Sequence, residues 1–419
     1  MEMGREREST LSLRSEETMT KRILVICDYL PHILEFMGPA IAEARRRGYE
    51  VIGAYFGAPA RDMMAAMGIN DLHIQGGAWD KSGDIPILQV PQAAPLLEKL
   101  KPTAVFIDII GVGHAGGRWL EECHKRNITA IEFGGCRSRI HYFGKGAETA
   151  TARYIAQLQK VGYGQHSEGL LAGTKAWQWV GLLTGDRLLQ KFDKNRVRRQ
   201  LGFRAYQKKY VVYVGNWGTG QGYAKLAAAD LVEWDEMAQA NELTLVYSPH
   251  PIFYYSEFPR HEIPPTTVLT ANFPGAQLWG RQAKHSPVSN LIRGAEFLIC
   301  PYISAVIAIA VAARIPHWLR RRSTGRADPA QFSRQAMQKG GRDPVQGLPG
   351  WPYIDRLRTL YDHEVRVESS YRTTAELEKL FEGELPFPGT AEDHARWDEE
   401  WKLRLDGKTA RRIIDLVER

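Results

Sequence analysis

At 419 residues the chain is longer than one hydrophobic core usually supports, so two domains of about 150–200 residues are expected. Hydrophobic content of 44% and charged content of 25% are those of an ordinary globular protein. Four scattered cysteines without a CxxC pair argue against a disulfide framework or zinc site, and a net charge of +7 favours anionic partners.

The opening "MEMGREREST LSLRSEETMT" is charged and lacks an apolar core, so residues 1–20 are expected to be a disordered lead-in rather than a secretory signal. "RILVICDYL" (22–30) is the continuous apolar run of a strand buried on both faces. "GPAIAEARRRG" (38–48) has helical spacing and a terminal glycine, and "YEVIGAYFG" (49–57) is a second strand. Helices over 59–67 and 91–100, a strand over 103–110, a helix over 115–126 and a strand over 128–135 continue the alternation. It lapses over 140–209, which has a helical and basic character, and resumes with a strand and glycine-rich turn over 210–218.

A helix over 222–239, a strand running into "SPHP", a β-like stretch over 266–270 and a helix near 286–294 follow. A strand over 296–302, a helix over 304–313 and a new strand begun by Ile315–Pro316 complete the second series. Helices near 373–383 and 390–419 are expected to close the chain. The longest apolar run, 297–313, is broken by Pro301 and is shorter than the roughly 20 residues of a membrane-spanning helix. Strands alternating with helices imply a parallel sheet with right-handed crossovers. Two such series form two doubly wound halves, with ligands outside the carboxyl ends of the strands.

Several stretches at those ends could carry chemistry. "VGNWGTGQG" (214–222) is either a plain tight turn or a cradle of backbone N–H groups for phosphate, with Gly215, Asn216, Gly218 and Thr219 as contacts. In "SPHP" the prolines fix φ and frame His250, which either caps the strand or reaches a phosphate or sugar. Ser304 stands where a helix begins and either caps it or binds phosphate. "RRRSTGR" (320–326) is either a solvated face or a diphosphate clamp through Arg322 and Arg326. "IEFGGCRSR" (131–139) ends a strand on Glu132, a carboxylate costly to bury unless paired or functional. The densest basic cluster, 191–210, matches no DNA-reading motif, so a nucleic-acid partner is not expected.

The order of the second half resembles that of GT-B sugar-nucleotide enzymes. The residues that carry it are the Gly-containing strand–turn near 210–222, "HP" after the next strand and "SNLI…AEFLICPYIS…AVAARIP". That superfamily includes glycosyltransferases, UDP-N-acetylglucosamine 2-epimerases and the glycerophosphotransferases of capsule and teichoic acid synthesis. The ending "DGKTARRIIDLVER" (406–419) is similar to the closing helix of several members. Two segments lean toward the epimerases: "NITAIEFGGCRSR", which carries over Glu132, Arg137 and Ser138, and "RIPHWLRRRSTGRADPAQF", which carries over Thr324 and Arg326. Against the epimerase pattern, the G-D before a threonine run is reduced to Asp108 in "IDIIGVG". The H-R-R-E-N is replaced by "GNWGTGQ", and the paired glutamates near the phosphate site are absent from "ISAVIAIAVAA".

The resemblance therefore implies an α/β, GT-B chain of two doubly wound, Rossmann-like domains facing a central cleft. Residues 21–200 form the acceptor half with a helical insertion, 201–390 the nucleotide-sugar half, and 391–419 a helix crossing back to the first half. The activity it implies is transfer of a sugar or related group from a nucleotide donor, with UDP the expected nucleotide, to a glycan, lipid-linked or small-molecule acceptor. Asp108, Glu132 and His32 are the candidate bases, and no metal or further cofactor is expected. A 2-epimerase-like enzyme and a non-catalytic binding protein of the same shape are the alternatives. A cytoplasmic location follows from the cysteine usage, with peripheral contact to an anionic inner membrane face as the further partner that the charge suggests.

Overall fold

The computed structural model describes residues 21–27, 36–55, 70–73, 93–108, 116–133, 139–144, 176–203, 209–215, 221–248, 264–269, 288–300, 305–319 and 404–419. Two sheets organise them. The first runs β3 (Asn70–His73), β2 (Glu50–Tyr55), β1 (Arg22–Cys27), β4 (Ala104–Ile107), β5 (Thr129–Glu132), β6 (Arg139–Phe143) and β7 (Trp177–Trp179). The second runs β10 (Val268–Leu269), β9 (Leu243–Ser248), β8 (Lys209–Val214), β11 (Phe297–Cys300) and β12 (His317–Leu319). Every pair in the second sheet is parallel, as are all pairs from β3 to β5 in the first.

The apolar runs form central strands because both of their faces are covered. In β1, Ile23 and Val25 pack toward α1 (Gly38–Arg46) and α9 (Thr409–Val417), while Leu24 and Ile26 pack toward α2 (Ala93–Leu100) and α3 (Gly116–Lys125). The second sheet repeats the arrangement. Val211 and Tyr213 of β8 face α6 (Gln221–Ala240). Tyr210, Val212 and Val214 face α4 (Gly185–Leu188), α5 (Lys194–Gln200), α7 (Val288–Gly294) and α8 (Ala305–Ala312). Helix α1 starts with a proline in its first turn and ends in a Schellman turn. Gly48, at φ +82°, donates to Arg45 O at 2.9 Å, and Tyr49 N donates to Ala44 O at 3.1 Å.

Three sequence expectations need correction. The stretch 140–209 was expected to be helical. Its described residues do include the helices Gly185–Leu188 and Lys194–Gln200, but they also supply β6 and β7, which pair antiparallel and extend the first sheet beyond β5. Tyr142, Phe143 and the two tryptophans are residues suited to a pleated, half-buried surface, and that property outweighed the basic composition around them. The expected closing helix over 390–419 is, among the described residues, only the nine of Thr409–Val417, preceded by a bend. Asp406 and Gly407, at φ +71°, end any helical continuation there. Finally β3 had no expected strand. The expected helices over 59–67 and 373–383 lie outside the described residues.

Helix α9 joins the two ends of the chain. Ile413, Ile414, Leu416 and Val417 are buried in the first core against α1, each contributing about 1.5–3 kcal/mol of apolar burial. Arg47 at the end of α1 binds Asp415 and Glu418, both at 2.7 Å, as well as Glu43 at 2.9 Å. Burial opposes its charge, but the bonds to Asp415, Glu43 and Glu418 outweigh that and raise its pKa. The amino end of α9 has no side-chain cap of its own. Asp186 supplies one from the linker, accepting from Thr409 N at 3.1 Å and Ala410 N at 2.8 Å. Gly181, at φ +94°, lets that linker approach closely, since a Cβ there would stand 2.9 Å from Thr409 Oγ1. Asp186→Ala is therefore expected to cost about 1–2 kcal/mol, read as a melting midpoint lowered by about 2–6 °C, with Asp186→Asn intermediate.

Candidate active site

In each sheet the strand order reverses once. Chain order runs outward through β1, β2 and β3 on one side and through β4 and β5 on the other, so β1 and β4 are neighbours at the reversal. The second sheet does the same at β8 and β11. Right-handed crossovers then send the two series of helices to opposite faces and leave a crevice at the carboxyl ends of the central pair. The covering helices agree: α1 and α3 lie on opposite faces of the first sheet, and α6 and α8 on opposite faces of the second.

Asp108 follows β4 directly, at the first of these crevices. It is fully buried, and its backbone N–H donates to Ile26 O of β1 at 3.2 Å, closing the last rung of the central pair. Glu132 ends the neighbouring strand β5 and is also fully buried. The two carboxylates do not share a face. Glu132 continues the Ala130 side, toward α2 and α3, and alternation from Ala104 and Phe106 places Asp108 toward α1.

Glu132 stands directly across from His141 in the antiparallel β5–β6 register, and its Oε2 is joined to His141 Nδ1 by a hydrogen bond of 2.5 Å. Both side chains are wholly shielded from solvent. A carboxyl group closed in this way needs a polar partner, and His141 answers that need. The sequence reading missed His141 because it fell in the stretch taken as helical. The signal that could have found it is "EFGGCRSRIHYF", a strand end, a double-glycine loop and a second β-prone run, which is the pattern of a hairpin.

On the second sheet, Gly215 leaves β8 at the reversal, and its N–H donates to Ser248 O at the end of β9 at 2.7 Å. Those two residues bring the starts of the glycine-rich loop and of "SPHP" to one sheet edge. Asn216, Gly218, Thr219, His250, Ser304, Arg322, Arg326 and His32 lie outside the described residues, as do Arg137, Ser138 and Thr324. Among the described residues no group of three His, Cys, Asp or Glu could hold a metal ion, and no helix is long and apolar enough to cross a membrane. Cys123 is buried as a free thiol, and burial pushes its pKa well up, which suits packing rather than reactivity.

No protein-family model and no curated protein matches the chain. Solved structures do. A Listeria monocytogenes protein assigned as a UDP-N-acetylglucosamine 2-epimerase aligns over 95% of this chain and 96% of its own, at 13% identity and a TM-score of 0.50. The fold is GT-B. The glycosyltransferase SnogD from Streptomyces nogalater aligns over 95% of this chain and 100% of its own, at 14% identity and a TM-score of 0.47. The UDP-GlcNAc 2-epimerase of Methanocaldococcus jannaschii, solved with UDP-GlcNAc and UDP, aligns over 72% of this chain and 83% of its own, at 14% identity and a TM-score of 0.45. The strand-order reversals of the two sheets lie at β1/β4 and β8/β11.

The buried pair has a measurable energy. A double-mutant cycle with Glu132→Ala and His141→Ala is expected to give a coupling of about 1–3 kcal/mol in denaturant unfolding. Glu132→Gln, which keeps a polar group opposite the ring, should lose less stability than Glu132→Ala. A coupling near zero would mean that the 2.5 Å contact does not hold the hairpin against the parallel strands.

Proposed function

We propose that this chain is a sugar-nucleotide enzyme, and specifically a transferase that moves a glycosyl or related group from a nucleotide donor, UDP-linked, to an acceptor. The observation that carries the reading is the second strand-order reversal, at β8/β11, with Gly215 leaving the sheet there beside the end of β9. A parallel sheet directs backbone N–H groups and helix amino termini toward ligands at that edge, and a diphosphate matches them in charge. The donor's phosphates would sit over Gly215, Asn216, Gly218 and Thr219, with His250 and Ser304 beside them and Arg322 or Arg326 on the leaving diphosphate.

The acceptor would enter from the first half. An inverting transfer needs one base to take the acceptor proton while positive charge or amide dipoles stabilise the departing diphosphate. Asp108 and Glu132 at the carboxyl edge, and His32 after β1, are the candidates. Asp108 is the best placed of the described pair, because it stands at the reversal itself, whereas Glu132 lies one strand away and shares a hydrogen bond with His141.

Calorimetry with UDP, followed by assay of UDP-N-acetylglucosamine turnover, tests this. Release of UDP supports transfer, with water as the default acceptor. Interconversion of two sugar nucleotides without net release supports the 2-epimerase reading. Binding without turnover supports a non-catalytic role. His250→Ala should weaken UDP binding by about tenfold to a few hundredfold, the effect of one hydrogen bond to a charged group, with an unchanged melting point. Unchanged affinity together with a lowered melting point would make His250 a strand cap and remove it from the site. Asp108→Asn should lower turnover and leave UDP affinity within about twofold, since a base acts on the acceptor rather than on the nucleotide.

A further inference from the structure

The charge of this chain is concentrated. Residues 187–209 contain nine lysines and arginines against one acid, Asp193, a net +8 where the whole chain carries +7. The remainder of the chain sums to −1, so this segment is a concentrated contribution to the basic balance.

The fold places the described part of that segment, α5 and Lys209, at the amino-terminal edge of the second sheet. Glu296, the residue before β11, donates its N–H to Tyr210 O at 2.9 Å. Its carboxylate holds Lys194 at 2.7 Å and Arg198 at 3.8 Å, so α5 is tied to the strand starts. Lys209 begins β8 at the same edge. The nucleotide edge is the opposite one, beyond Val214. Six residues of β8 separate the two, about 17 Å at the rise of a parallel strand. The basic segment is thus at the wrong end of the sheet to serve the donor's phosphates.

Among the described residues, its outer face carries one ion pair, Arg199 with Asp193. The inner side of α5 is Val197, buried in the second core, with Lys194 and Arg198 spent on Glu296. Arg196 and Arg199 lie one helical turn apart on the exposed side, Arg199 at 3.6 Å from Asp193. Lys191, Arg196 and Lys209 are exposed and form no ion pair with a described residue. Asp193 and Glu242, the latter just before β9, are exposed acids at this edge among the described residues. Among these charges stands Leu189, 54% exposed, between Arg187 and Lys191. The ring of Phe192 is covered by the Arg293 guanidinium at 4.4 Å, so this patch offers a leucine rather than an open aromatic platform for a base.

We propose that this face, built from Leu189, Lys191, Arg196, Arg199 and Lys209, docks the protein on an anionic membrane surface. Exposed basic side chains, of which Arg199 alone has an acid partner among the described residues, match with the exposed leucine a layer of lipid phosphates over an acyl boundary. The assignment is independent of the reaction at the opposite edge and would stand if that reading failed.

Co-sedimentation of the full chain with vesicles of mixed phosphatidylcholine and phosphatidylglycerol tests it. Binding is expected on the mixed vesicles, absent on phosphatidylcholine alone and lost at high salt. With each near-surface charge contributing about fivefold, the double variant Lys191→Gln/Arg196→Gln should bind about 25-fold more weakly with an unchanged melting point. Leu189→Ser should weaken binding by about fivefold through the lost apolar contact. The proposal is overturned by no binding to the mixed vesicles, by binding that either variant leaves unchanged, or by tighter binding to duplex DNA than to the vesicles at the same salt.

Discussion

The architecture of this fold follows from the constraint that parallel strands impose on their connections. A crossover between parallel strands must leave the sheet and return over one face, and it does so with one hand. Where the strand order reverses, the helices part to opposite faces of the sheet. The chain meets this constraint twice, at β1/β4 and at β8/β11, with the same relative order of five strands. The paired central strands can occupy that position because Ile23–Ile26 and Tyr210–Val214 are apolar on both faces and fully or nearly fully buried. A polar residue in either run would face a helix on one side and have no water on the other. Polar groups instead collect where those runs stop: Asp108, Glu132, Gly215 and Ser248 all stand at strand ends.

Among the described residues, 180–188 connects the two halves. Residues 180–188 alternate between cores, with Val180 and Leu183 in the first and Leu182 and Leu188 in the second. The same segment caps α9 through Asp186 and receives Arg412 Nη1 on Val180 O at 2.8 Å. Thus the last helix is held by α1 from one side and by the linker from the other. Arg47 is the residue where charge and packing meet. Its guanidinium is largely buried, which is tolerable only because Glu43, Asp415 and Glu418 surround it. These carboxylates come from opposite ends of the chain, so the contact fixes where the chain's end lies.

The doubly wound halves were legible because their signal is a run of apolar residues long enough to exclude other readings. "RILVIC", "YVVYV" and "EFLIC" can hardly be anything but two-faced strands, and the glycine after "RRR" marks the end of α1. The antiparallel pair β6 and β7 was not legible. It is antiparallel and short, and the basic stretch it is set in outweighed the local turn-and-strand pattern that marks β6. His141 was lost with it, since only the pairing register brings its ring to Glu132. Glu132 itself could be singled out from the chain, because an acid at the end of an apolar strand is conspicuous. That it is enclosed and bonded to an imidazole could not be read from the sequence. The basic segment was visible as composition, but its placement at the amino edge depends on Glu296, a hundred residues away, and needed the fold.

The central claim is that a nucleotide binds at the carboxyl edge of β8 and β11. Amide hydrogen exchange with and without saturating UDP tests it most directly, because it reports location without requiring the donor sugar or the acceptor. The account predicts slowed exchange in peptides covering 214–222 and 299–305, with 191–203 at the amino edge unaffected. Slowed exchange confined to the first half or to 191–203, or none anywhere at saturation, would contradict it.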